Sequence, residues 1–124
     1  MEVGISVPDT QIFVKAHTDQ SIVLNTSTHE NSIVISPEKI INSHWDCKDI
    51  KSISEDQLIE IFKIPADAYL IGTGEKQLFP DMKIYQFCQL QNKAVDFMNS
   101  PAACRTFNML ASEGRSIIAA IIIA

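Results

Sequence analysis

The apolar rhythm of the chain changes once, near Ser54. Before that point, short β-branched runs alternate with polar stretches. In "QIFVKA" the residues Ile12, Val14 and Ala16 fall on one face of a strand, and "SIVLN" and "SIVIS" read as further strands separated by the polar stretch Thr26 to Asn31. This pattern predicts an N-terminal antiparallel hairpin or meander. Residues 37–53 keep no period, and Trp45 is their only large anchor.

After Ser54 the period lengthens. Ser54 followed by Gln57 three positions later is a capping-box pattern, and Leu58, Ile59 and Phe62 supply the apolar stripe of a first helix that Pro65 stops. "AYLI" then reads as a buried strand. Pro80 suits the first position of a second helix carrying Ile84, Phe87, Cys88 and Leu90, and "AVDFM" is the next strand. Ser100, as cap, and Pro101 open a third helix that Gly114 closes in a left-handed conformation. "SIIAAIII" is apolar on both faces, which predicts a central strand. The β-α-β-α-β order favours parallel pairing with right-handed crossovers, so the fold class is a layered α/β domain.

Length and charge narrow the function classes. A chain of 124 residues is read as one domain, residues 1–124, large enough to close a core without disulfide or metal staples. The net charge of −5, with Arg105 and Arg115 as the only arginines, argues against nucleic acid as a partner. "MEVGISVPDT" reads as neither a secretory signal nor a transit peptide, and the run Ile117 to Ala124 is too short to span a bilayer. Three cysteines without paired spacing point to a reducing compartment, and the expected location is the cytoplasm.

Candidate chemistry concentrates at two places. "IGTGEKQLFP", Ile71 to Pro80, follows a strand with a glycine-spaced loop. The dinucleotide fingerprint requires a third glycine where Gln77 stands and an acidic residue at a strand end, whereas Asp96 falls inside a strand. A Walker loop requires Gly-Lys-Ser/Thr, and Lys76 is followed by Gln77. Neither nucleotide pattern is met. Gly72, Thr73, Gly74, Glu75 and Lys76 still lie at the carboxyl end of a strand, where ligands collect in open parallel sheets and successive amides can cradle an anion. The plainer alternative is that the glycines only permit a tight exit from the strand.

The second place is "NSPAACRTFN", Asn99 to Asn108. Ala103, Phe107, Leu110 and Ala111 form an inward stripe, and Arg105, Asn108 and Ser112 an outward one. Cys104 lies one turn into the helix, where an exposed thiol would feel the helix dipole and a buried one would be structural. No histidine stands nearby in sequence to serve as its base. The helix follows a strand, so its start should open on the same sheet edge as the glycine loop. "HWDC" gathers His44, Asp46 and Cys47, with His17 and His29 elsewhere, but lacks the second ligand pair of a structural zinc site. Glu75, Asp81 and Asp96 read as solvated carboxylates. No catalytic set, metal or cofactor is assigned.

"DAYLIGTGEKQLFP" and "VDFMNSPAACRTFNMLASEGRSIIAAII" together resemble a family of small single-domain proteins. It includes mitochondrial assembly factor 3 of respiratory complex I (NADH:ubiquinone oxidoreductase), the adipogenesis-associated mammalian relative and many uncharacterised bacterial and archaeal proteins. Gly72, Thr73, Gly74, Phe79, Pro80, Cys104, Arg105, Thr106, Asn108 and Gly114 match the family pattern, while Lys76 stands where relatives often carry arginine. The resemblance implies a three-layer α/β fold with a mixed central sheet and carries no enzymatic reaction with it. The expectation is a non-catalytic protein-interaction or assembly module using Thr73, Glu75, Lys76, Arg105 and Asn108. The alternative is a small-molecule or anion-binding protein, or an enzyme, working in the crevice between the glycine loop and the Cys104–Arg105 helix.

Overall fold

Residues 11–123 are described by a computed structural model, and the reading of Met1 to Thr10 as free of a targeting segment lies outside them. The first strands, β1 (Val14–His17), β2 (Ile22–Leu24) and β3 (Thr28–His29), form a three-stranded antiparallel meander. Next come β4 (Ile33–Ile35), β5 (Ile40–Asn42), a single 3-10 turn at Ile50–Ser52 and helix α1 (Glu55–Phe62). The remainder is β6 (Ala68–Gly72), α2 (Met82–Leu90), β7 (Val95–Met98), α3 (Ser100–Ser112) and β8 (Ile117–Ile121). Strands β5, β4, β8, β6 and β7 make the central sheet in that order. Strands β6, β7 and β8 pair in parallel, and β4 pairs antiparallel with both β5 and β8. The sheet is therefore mixed, with the all-apolar β8 inside it as its composition predicts.

Strand alternation sorts the core into two. Val34, Tyr69, Ile71, Phe97, Ile118, Ala120 and Ile122 pack toward one side, with Trp45, with Leu58, Ile61 and Phe62 of α1, and with Cys88 of α2. Ile33, Ile35, Leu70, Ile117, Ala119 and Ile121 pack toward the other, against Cys104 and Phe107 of α3 and the meander residues Val14, Ile22 and Leu24. Successive residues of a strand point to opposite faces. A run such as Ile117 to Ile122, buried at every position, therefore anchors both outer layers at once. This is a three-layer α/β arrangement.

Several local expectations change. The run "SIVIS" leaves the meander and joins the central sheet through β4. Strands β3 and β5 arise in stretches without visible period, since two or three residues cannot display one. Val14 pairs with Leu24 and Ala16 with Val23, so Lys15 is an extra residue in β1, and the bulge turns Ala16 out to solvent. On α1 the stripe is Leu58, Ile61 and Phe62, with Ile59 exposed. Pro80 precedes α2, whose N-cap position is Asp81, and Leu90 lies in the open. Asn99, not Ser100, caps α3 by accepting from the Ala102 amide at 2.8 Å. Gly114 does end α3 in the left-handed region, at φ +79°.

The capping box of α1 is complete. Ser54 Oγ accepts from Gln57 N at 3.2 Å, and Gln57 Oε1 accepts from Ser54 N at 3.0 Å. Ser54→Ala should lower stability by about 1 kcal/mol. Chemical denaturation should show this as a lower midpoint with an unchanged slope.

Candidate functional site

The glycine loop and the start of α3 do meet, but through Ser100 rather than Arg105. Ser100 is 0% exposed. Its Oγ donates to Ile122 O at 2.6 Å and accepts from Gly74 N at 2.9 Å, while its own amide donates to Gly74 O at 2.6 Å. Ile122 N donates to Gly72 O at 2.9 Å, so the ends of β6 and β8 and the start of α3 close on one another. A Cβ on Gly72 would lie 2.8 Å from Ser100 Oγ and 3.1 Å from Ser100 Cα. Gly72 thus serves close approach, and Gly74 a positive φ of 105°.

Thr73 is equally committed. Its side chain is buried, donates to Lys76 O at 2.7 Å and accepts from Leu78 N at 3.1 Å, while its amide donates to Met98 O at 2.8 Å. Gln77 Nε2 ties the loop to Phe97 O at 3.3 Å. The amides of Thr73, Gly74 and Leu78 and those at the start of α3 are all engaged within the protein. The loop and the helix start are joined by hydrogen bonds through Ser100. Glu75 and Lys76 stand exposed at the loop tip.

On α3, Arg105 is exposed and Cys104 is buried. Burial pushes the Cys104 thiol up to about 12 against the opposing pull of Arg105, so the neutral thiol persists where dipole alone would favour thiolate. Asn108 is half-buried, with its side-chain amide engaged. Its Oδ1 accepts from Val14 N at 2.9 Å and its Nδ2 donates to Val14 O at 2.8 Å, so the amide pairs with β1 as a neighbouring strand would. A helical wheel places it outward because β1, which crosses that face, is invisible in the helix's own sequence.

The other candidates stay apart. Cys47 is buried and pushed up to about 11, chiefly by desolvation. His44 Nδ1 lies 3.0 Å from Ser43 Oγ. Among the described residues no three His, Cys, Asp or Glu side chains gather as a metal site would require. Ser27 Oγ and His29 Nε2 approach to 2.6 Å on the hairpin, yet no carboxylate among the described residues hydrogen-bonds that imidazole.

Among the described residues, three of the concave surface regions border this framework. A cavity of about 520 Å³ lies against Trp45, Ile41 and Ile61, rimmed by His44, Asp46, Glu60 and Lys63. One of about 290 Å³ separates β1 from α3 and is lined by Lys15, His17, Cys104 and Arg105. The third, about 340 Å³, is formed by Phe79, Pro80, Met82 and Tyr85. Phe79 is 55% and Met82 68% exposed, and Leu78 and Tyr85 lie in the open beside them. Sequence reasoning missed this apolar cluster, although a signal existed. Met82 and Tyr85 fall off the line of Ile84, Phe87 and Cys88, so α2 carries more apolar residues than its core face uses.

With this geometry in view, comparison with known proteins settles kinship. A family described as "Protein of unknown function (DUF498/DUF598)" matches residues 14–122. The chain belongs to that family. It is 33% identical over 111 residues to the "13 kDa major membrane protein" of Francisella tularensis subsp. holarctica (strain LVS), covering 90% of each chain. It is 26% identical over 113 residues to "NADH dehydrogenase [ubiquinone] 1 alpha subcomplex assembly factor 3" of Xenopus tropicalis, covering 90% of this chain and 61% of that protein. The chain thus spans less than two thirds of the assembly factor. A protein of Xanthomonas campestris solved by NMR shares the fold, with a TM-score of 0.81, 26% identity, and coverage of 99% of this chain and 92% of the other. The family resemblance and the three-layer mixed-sheet fold read from the sequence both stand. No helix among the described residues is long and apolar enough to cross a membrane.

Two outcomes test this account of the strand ends. Gly72→Ala should destabilise by about 1–3 kcal/mol, because the contact is with backbone as well as a hydroxyl, and chemical denaturation checks it. Native Cys104 should resist iodoacetamide at mildly alkaline pH and be alkylated only on unfolding, which mass mapping of modified peptides checks. Burial keeps the reactive thiolate rare in the folded state.

Proposed function

We propose that this protein is a non-catalytic partner-binding module, docking a second, different protein on the apolar cluster Leu78, Phe79, Pro80, Met82 and Tyr85. The carrying observation is that Phe79, on the loop before α2, and Met82, at the start of α2, both project into solvent. Solitary exposed apolar side chains are ordinary, whereas a contiguous group around a shallow concavity is the usual form of an interaction surface. Thr73 and Gln77 fix the loop to itself and to β7, and the Tyr85 ring rests 6.1 Å, centroid to centroid, from Phe97. Little ordering is needed on binding, which favours affinity.

Kinship supports the same reading. Several relatives are named assembly factors of NADH dehydrogenase, and assembly implies protein partners. The charged loop tip, Glu75 and Lys76, would form part of the polar rim. Of the surface expected from sequence, Thr73 and Asn108 contribute by shaping the fold, and the contact area moves to the Phe-Pro segment and the outer face of α2.

The test is affinity capture of tagged protein from the source organism, comparing wild type with Phe79→Ser/Met82→Ser and with Arg105→Ala. A stoichiometric partner should remain with wild type and Arg105→Ala and be lost from the double variant. Losing two apolar anchors of about 2 kcal/mol each should weaken the complex by about two to three orders of magnitude. The melting temperature should barely move, since both side chains are exposed. A partner retained by the double variant, or a wild-type protein that only pairs with itself, overturns the proposal.

A further inference from the structure

The groove between β1 and α3 has an electrostatic character unlike the rest of the chain. The protein carries a net charge of −5, yet among the described residues the groove is lined by Lys15, His17 and Arg105 and by no carboxylate. Among the described residues neither Lys15 nor Arg105 is held in an ion pair. The β-bulge places Lys15 out of step with the strand, and consecutive residues from Val14 to His17 border the groove. Asn108 and Cys104 complete the wall without competing for an anion. The Asn108 amide is bound to Val14, and the Cys104 thiol stays neutral.

His17 is the most specific element. Its Nε2 is buried without a hydrogen-bond partner among the described residues. A buried polar atom lacking a partner is costly and calls for a ligand or a functional role. We propose that this groove binds a compact oxyanion, a phosphoryl or sulfuryl group, with the Arg105 guanidinium, the Lys15 ammonium and the His17 imidazole as its donors. Guanidinium and ammonium supply charge-assisted hydrogen bonds to such a group, the former in a two-pronged geometry. The cavity, about 290 Å³, suits one such group with a small body attached. This site is independent of the docking cluster and shares no residue with it.

Proton linkage gives the site a signature. Among the described residues, the charged or titratable groups facing His17 are Lys15 and Asp19 from its own hairpin and Cys104 and Arg105 from α3. Desolvation holds His17 below its ordinary value, with Asp19 pulling the other way. A bound dianion adds a second upward pull, so the bound state holds its proton to higher pH than the free state. Affinity should therefore strengthen as pH falls through the bound-state value, and level off below the free-state value.

Sulfate is the probe, because its own charge is constant over this range. It is titrated at fixed ionic strength, with the His17 imidazole followed by NMR. Saturable shifts of the His17 resonances should appear, with binding about threefold to tenfold tighter at about pH 5.5 than at about pH 7.5. Arg105→Gln should weaken sulfate about tenfold, and His17→Gln should flatten the pH response while leaving a cooperative melt. Sedimentation with phosphatidylcholine vesicles, with and without phosphatidic acid, against competition by glycerol phosphate, separates a lipid headgroup from a soluble phosphomonoester, and binding of either kind lost in Arg105→Gln supports the site. Sulfate that leaves the His17 resonances unmoved, or that binds both variants as tightly as wild type, overturns it.

Discussion

The meeting of β6, β8 and α3 depends on one hydroxyl group. Ser100 Oγ is both donor and acceptor, to Ile122 O and from Gly74 N, in a position closed to water. Without it, a carbonyl and an amide at the ends of two central strands would be left unpaired in the interior, each carrying a penalty of about 1–3 kcal/mol. Only a small side chain with both functions fits there, and it fits because Gly72 presents no Cβ. The Gly-Thr-Gly segment is thus explained by packing and hydrogen bonding at a strand end. The first turn of α3 is satisfied from within, by Gly74 O and Asn99 Oδ1, so the helix start offers nothing to an incoming anion.

Much of the framework was legible in the residues themselves. The capping box at Ser54 and Gln57, the left-handed Gly114 and the central position of β8 each follow from local rules that the tertiary structure does not override. What escaped was decided at a distance. The role of Asn108 depends on β1 lying across α3, some ninety residues away in the chain. The bulge at Lys15 depends on the register with β2, and one extra residue reverses the facing of all that follows it. Serine favours the cap position, but Asn99 suits it equally and takes it, while Ser100 is buried in the first turn. The two stretches singled out for chemistry do lie together, linked through the Ser100 hydroxyl and amide.

The two functional proposals sit on different layers. α2 contributes Cys88 to the core on one side of the central sheet, and α3 contributes Cys104 and Phe107 to the core on the other. The apolar cluster grows from the loop before α2 and from its outer face, and the basic groove from the seam of α3 with the meander. The two regions share no lining residue. A fold whose two outer layers are both anchored in the same strands is suited to carry unlike surfaces without compromising either.

The position of β8 has a consequence for biosynthesis. Residues 117–121 are laid between β4 and β6, which are made much earlier and have no direct pairing with one another. Until that segment has left the ribosome, the sheet is two separate fragments, and Ile33, Ile35, Tyr69 and Ile71 are without the strand they pack beside. Pairing across such sequence distances is entropically slow, and unpaired apolar edges invite association in the meantime. From the synthesis of β4 until β8 is made, the nascent chain therefore carries apolar strand edges without their neighbour.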